Sequence, residues 1–362
     1  MILEDKKHTW NIPALRSFQS GETQYSLVIP MRQLKRLLAF DNNQQVMSRS
    51  QRELNKNRAN KITKYLIESF DNKNHYILPP LIGNVDINIE FDEYGNNTNL
   101  GVFKMPMDAN ITLFDGQHRA HGIMEFCKQR DVYDCISIIL TENLDLETRQ
   151  QFFSDINSNA SKPSAAINLA YNNREDYSHL TRHWINEVKE ISELVDYEHN
   201  VIPRKSNMLV SFKALYDATK RIFNVSTEEI LSETTKNQAV GIWNSWAYLI
   251  GLTRGNGNTY DSDYRKEYIK FHGVLINAFS FAICELLKEK KNIDDVISII
   301  NGSACTMDEV KREAFFLIEN WKGICVDPEY GLIKADLKSQ RAAGYHLLNF
   351  INGDESYKGG KK

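Results

Sequence analysis

Between Leu54 and Phe70 the apolar residues Ala59, Ile62, Leu66 and Phe70 recur every three or four positions, while Lys61 and Lys64 fall largely on the other side. That spacing predicts an amphipathic helix. After Pro79-Pro80 the period changes to two. Val85, Ile87 and Ile89 alternate with Asp86, Asn88 and Glu90, which predicts a half-buried strand. Tyr94-Gly95-Asn96-Asn97 reads as a turn, residues 111–114 as a short strand, and Gln117 to about Cys127 as a helix. The β-branched run 135–142 predicts another strand, and 145–159 a helix stopped by Lys162-Pro163. The first 160 residues or so therefore read as a mixed α/β unit.

Beyond Asn172 the period changes again. Segments around 175–192, 208–223, 236–252, 264–290 and 306–322 carry helical periodicity, and strands are few. The expected fold class is α+β: a mixed α/β domain over 1–172, a helical domain over 173–352, and an unstructured tail over 353–362.

Composition changes this picture little. With 362 residues, 42% hydrophobic and 25% charged, the chain matches an ordinary soluble protein with a sizeable core. No apolar run follows basic residues at the N-terminus, so no signal peptide is read. The most apolar stretch, 271–287, is interrupted by His272, Asn277 and Glu285, which suits a buried helix rather than a membrane span. Five cysteines, none two or three apart, argue against a disulfide framework or zinc knuckle and suit the cytoplasm. Charge does change the picture. The net value of −3 conceals Arg32, Lys35, Arg36, Arg49, Arg52, Lys56, Arg58, Lys61 and Lys64, set against only Asp41 and Glu53 in the same stretch. A local basic patch on a mildly acidic chain is the footprint of a confined polyanion site, and equally of a solvated helix face.

The stretch Leu113–Ile123, LFDGQHRAHGI, places an acid, a glycine, an amide, two histidines and an arginine between a strand and a helix. A helix that starts after a glycine turn presents unpaired N–H groups and a partial positive charge to anions. Gly116, Gln117, His118 and Arg119 are the candidate phosphate ligands, Arg119 through a bidentate fork. Asp115 could hold Arg119, accept a ribose hydroxyl, or bind a metal; His118 and His121 lie three apart. The bland alternative is that Asp115 only caps the helix and pairs with Arg119. No Walker A loop, HExxH or GxSxG is present. A second cluster, 152–176, gathers Asp155, Asn157 and Ser164 around helix ends, either as another wall of a pocket or as an elaborate junction.

Taken together, DGQHR (115–119), QRELNKNRANKITKYL (51–66) and FFSDINSNASKPSAAINLAYNNRED (152–176) resemble, in order and spacing, the DGQHR-domain proteins of the DndB family, encoded with DNA phosphorothioate (sulfur) modification systems. The likeness covers roughly the first half of the chain. It implies a ParB- and sulfiredoxin-like N-terminal fold whose glycine-to-arginine turn receives a phosphate of a nucleotide or of DNA. By position it adds Arg52, Asn55 and Arg58 to Lys61 and Lys64 as DNA-binding residues, and Asp155, Asn157 and Ser164 to the site. Two departures stand out: Ala120-His121-Gly122 follows the signature where a more basic or alanine-rich start is expected, and Lys162 replaces an arginine.

The functional expectation is a cytoplasmic DNA-binding regulator of the modification genes. It would bind double-stranded DNA of its own promoter region and other proteins of the sulfur-modification complex, and a homo-oligomer is compatible with this. No membrane association and no resident metal are expected. The alternative is an NTPase taking ATP with Mg, in which Asp115, Arg119 and Asp155 are catalytic; a ParB-like nuclease ranks last.

Overall fold

The computed structural model describes residues 9–38, 54–158, 163–252, 262–290 and 292–353. Two compact units divide the chain, Met1–Ser161 and Lys162–Lys362. The fold is α+β.

In the first unit the elements run β1 (Thr9–Gln19), β2 (Glu22–Pro30), α1 (Leu34–Leu37), α2 (Lys56–Asp71), β3 (Leu81–Val85), β4 (Glu90–Tyr94), β5 (Asn97–Pro106), β6 (Ile111–Asp115), α3 (Gln117–Gln129), β7 (Cys135–Glu142) and α4 (Leu146–Ser158). Seven strands form one mixed sheet in the order β4-β5-β1-β2-β7-β3-β6. Only β3 and β7 pair in parallel. Helices α2 and α3 pack against each other, and α4 packs on β6, where Phe114 and Phe152 meet edge to face at 6.1 Å. The core joins Leu27 and Ile29 of β2 and Ile138 and Leu140 of β7 to Leu66 of α2 and Ile123 and Phe126 of α3.

Three strands went unread in the sequence. All three alternate in burial, with Ile12 and Ala14 of β1, Tyr25, Leu27 and Ile29 of β2 and Gly101, Phe103 and Met105 of β5 turned inward, and β1 joins the other two by pairing with both. The strand expected over 81–91 is present at its start, as β3, and is corrected beyond Val85. The chain leaves the sheet after Val85, Asp86 accepts the Asn110 N–H at 2.9 Å, and Ile89 N–H donates to Glu142 at 2.6 Å. Pairing resumes only in β4. The inward face of α2 is also rotated from the expected one: it buries Ala59, Thr63, Leu66 and Ser69, while Phe70 stays 41% exposed. The cause is close helix approach. A Cβ on Gly122 of α3 would lie 2.8 Å from Ile62 Cβ and 3.1 Å from the Ala59 oxygen, and Thr63 Oγ1 donates to the carbonyls of Ala59 and Gly122. Small and hydroxyl residues fit such a seam better than Phe.

The second unit holds α5 (Ala165–Tyr171), α6 (Asp176–Glu187), α7 (Lys189–Ser192), α8 (Phe212–Ile222), α9 (Thr227–Ile230), α10 (Glu233–Leu249), α11 (Tyr264–Glu267), α12 (Gly273–Lys290), α13 (Ile293–Thr306), α14 (Glu309–Phe315) and α15 (Leu337–Ile351). Two residues each of β8 (Val195–Asp196) and β9 (Val210–Ser211) pair in parallel. Helix α12 is buried almost all round, so it is the centre on which α8, α13 and α15 pack. Stacked Trp184 and Trp243 (4.4 Å) and Trp246 beside Phe279 (4.6 Å) fill the core. Helix α5 packs on α6 and α8, so the division falls before α5 rather than at 172. The expected helix 264–290 is broken after Glu267, where Tyr268 bridges to Leu317, and 306–322 contains only α14 and a 3-10 turn at Ile318–Trp321. Helices α13 and α15 were not anticipated. No helix among the described residues is long and apolar enough to cross a membrane.

Candidate phosphate-binding turn and basic helix

Strand β6 ends at Asp115, and Gly116 turns the chain into α3 with φ +92°. A non-glycine residue is strained there, and the space is also closed: a Cβ would sit 2.5 Å from Leu81 Cδ2 and 3.1 Å from Arg119 Nη2. Gly116 is the N-cap, so no side chain caps α3, and its carbonyl accepts the first helical bond from Ala120 at 2.8 Å.

Arg119, one turn on, forms an ion pair with Asp115 and donates to the Pro80 carbonyl at 3.1 Å. The pairing part of the bland reading of this turn is therefore present, although Asp115 does not cap the helix. Arg119 Nε is buried with no hydrogen-bond partner among the described residues. Gln117 is buried, and His118 Nε2 accepts the backbone N–H of Asn55 at 3.0 Å. A neutral His118 consequently carries its proton on Nδ1. Asn55 is itself the N-cap of α2, its side chain accepting from Arg58 N–H at 3.1 Å.

That one bond ties the N-terminus of α2 to the N-terminus of α3. Neither first turn contains an acid. Lys56 and Arg58 instead occupy the first turn of α2, against the helix dipole. Lys56, Arg58, Lys61 and Lys64 are exposed, and only Lys64 has an ion pair among the described residues, a loose one with Glu68 at 3.5 Å. Helical geometry places Lys61 and Lys64 on the side facing away from the buried seam, whereas Lys56 sits at the helix start on the Thr63 side. Burial holds His121 below the usual histidine range, reinforced by His118 and Lys128. No three metal-ligating side chains gather among the described residues. The Ala120-His121-Gly122 departure has a packing reason, since Ala120 is fully buried and Gly122 admits α2.

The remaining expected residues divide. Asp155 accepts from Gln151 at 2.7 Å and Asn157 donates to the Phe153 carbonyl at 2.7 Å, both within α4. Ser164 belongs to the second unit, where it caps α5 and donates to the Glu198 carbonyl. Arg52 and Lys162 lie outside the described residues. The role of Asn55 as the strut between two helix starts is a tertiary fact; its place one turn before a basic, apolar-periodic run was the available signal.

The geometry defines a class first: an α+β protein in which a glycine turn and a basic helix start side by side. The family model for DndB, DNA-sulfur modification-associated proteins, matches residues 12–297, and the chain belongs to that family. Its role thus lies with DNA sulfur modification. No curated protein and no solved structure matches the chain.

Proposed function

We propose that this protein binds double-stranded DNA through the exposed basic face of α2, receives a backbone phosphate where α2 and α3 begin, and so regulates transcription of the modification genes. The observation that carries this reading is the Asn55–His118 bond, which ties the Asn55-capped start of α2 to the start of α3, which no side chain caps, beside Lys56 and Arg58, neither of which has an ion pair among the described residues. Lys56 and Lys64 are separated by about 12 Å along the helix, several times the axial spacing of phosphates along one DNA strand. An extended polyanion suits basic residues spread over that length better than one nucleotide does.

One observation favours a second reading, a nucleotide phosphate at DGQHR: the buried, unpartnered Nε of Arg119. Against hydrolysis with Mg stands the Asp115 carboxylate, already engaged by Arg119. The test is fluorescence anisotropy on the upstream DNA of its own operon, with and without Mg-ATP. The wild type is compared with Lys61→Ala/Lys64→Ala and Arg119→Ala. DNA binding lost in the lysine variant and indifferent to ATP supports the first reading. Binding that responds to ATP in the wild type, but not in Arg119→Ala, moves the assignment to the second. A wild type that binds no DNA sinks the first.

A further inference from the structure

Outside the first unit, one cavity of about 510 Å³ opens between α8, α12 and α15. Its walls include Arg221 of α8, Phe281, Cys284 and Lys288 of α12, and Arg341 and Tyr345 of α15. The volume is in the range of small-ligand sites, which often lie between bundle helices. Close packing builds it. Gly344 lets α15 lie directly on α12, where a Cβ would meet Phe281 Cβ at 2.7 Å and the Ala278 oxygen at 3.0 Å.

The charges are what need explaining. Arg221 is half-buried, and its side-chain hydrogen-bond partners among the described residues are neutral: Nη1 donates to Asn277 Oδ1 at 2.9 Å and Ser280 Oγ at 2.6 Å. Its guanidinium carbon stands 4.2 Å over the Phe281 ring, and that of Arg341 lies 5.7 Å from the same ring. No ion pair involves either arginine among the described residues. The carboxylate in the cavity wall, Glu285, is paired with Lys288 at 2.8 Å, and nearby Asp217 with Lys213. Half-buried Arg221 and exposed Arg341 therefore face one aromatic ring with no ion pair of their own among the described residues, and an anion joining them would offset the repulsion between them. Burial lowers the proton affinity of the Arg221 guanidinium; Cys284 and Asp217 oppose this, and Arg341 adds repulsion.

We infer that this cavity binds a small phosphorylated organic molecule, its phosphate held between Arg221 and Arg341 and its organic part against Phe281 and Tyr345. Guanidinium forks match phosphate oxygens in pairs, and Arg221 keeps Nη2 uncommitted among the described residues. The inference stands apart from the DNA reading, because every residue it uses lies in the second unit, and α15 lies beyond the family-matched residues.

Isothermal titration of the full chain with phenyl phosphate and with inorganic phosphate tests it, together with alkylation mapping of the cysteines. The expected result is one site that prefers phenyl phosphate and loses at least about ten-fold in affinity in Arg341→Ala. Arg341 is exposed, so that variant keeps the fold; Arg221→Ala is informative only if its circular dichroism matches wild type. Phenyl phosphate should also slow alkylation of Cys284 while leaving exposed Cys305 unchanged. No binding at millimolar phenyl phosphate, equal affinity in Arg341→Ala, or unprotected Cys284 overturns the site. Equal affinity for inorganic phosphate overturns the organic part.

Discussion

Arg119 in the first unit and Arg221 in the second are both partly withdrawn from water, yet their surroundings are opposite. Arg119 has its carboxylate, Asp115, one turn away and a carbonyl at Pro80. Arg221 has an amide, a hydroxyl, an aromatic ring and a second arginine. The arginine that belongs to a recognisable motif is largely spent on holding its own turn together. The one that no motif marks retains an unbalanced charge. A motif thus locates a well-braced turn, and under the proposed function the anion would be met beside it, where α2 begins. An uncompensated charge locates a ligand more directly, because burial without a partner has to be repaid by something.

The largest expected effect that sharpens this contrast concerns the second unit's core under α15. His346 is buried against Phe315 and Trp321, which holds it down at about 4, from 6.5. Its folded-state pKa is depressed, and the unfolded chain takes up the proton first. Stability is therefore full above pH 6.5 and falls as pH drops from there to about 4, by up to about 3 kcal/mol. Urea midpoints across that range should show the fall, and His346→Phe should flatten it. His272, whose pKa burial also lowers, contributes in the same direction. A wild-type profile flat from pH 6.5 to 4 would contradict the account of this core.

Next in size is Gly116→Ala. The left-handed φ and the contact with Leu81 together should cost roughly 2–3 kcal/mol, read as faster hydrogen exchange in α3. A neutral result would mean that the turn has another conformation available. Arg119→Ala should cost about 1–2 kcal/mol, since it leaves Asp115 and the Pro80 carbonyl without their donor. If Arg119 mainly braces the turn, Asp115→Ala/Arg119→Ala should cost no more than Arg119→Ala alone in a urea titration. Additive losses would break the pairing and free Asp115 for chemistry.

A smaller effect is expected from His118→Ala, about 1 kcal/mol, through loss of the acceptor for Asn55 N–H. Because that bond positions the start of α2, DNA affinity should fall with it. Unchanged affinity would separate the two helix starts functionally. Finally, Lys61→Ala/Lys64→Ala should leave the urea midpoint within about 0.5 kcal/mol. The same pair should reduce the salt slope of DNA binding by about two. An unaltered slope would show that these lysines form only a solvated face.

The elements with strong local signals were legible in the chain: α2, β6, α3, β7 and α4 stand within a residue or two of where periodicity and turn residues put them. Those that depend on partners were not. Strand β1 buries one residue fully and is held by hydrogen bonds to β2 and β5, which no local pattern records. Residues 85–89 alternate like a strand, but the Asp86 carboxylate takes the Asn110 N–H and the Ile89 N–H goes to the Glu142 side chain, and a period of two does not say where pairing stops.

The site divides along the same line. The sequence by itself determined that a glycine turn opens a helix at 116, that Arg119 follows one turn after Asp115, and that an exposed lysine stripe runs along α2. Each depends on neighbours within about four residues, whose geometry the chain dictates locally. Only the tertiary structure decided that His118 grips Asn55 63 residues earlier and that Gly122 admits α2. It alone likewise brought Arg221 and Arg341, from helices far apart in the chain, to one phenyl ring. Such meetings are set by which apolar faces bury one another, and that is a property of the whole packed unit rather than of any stretch within it.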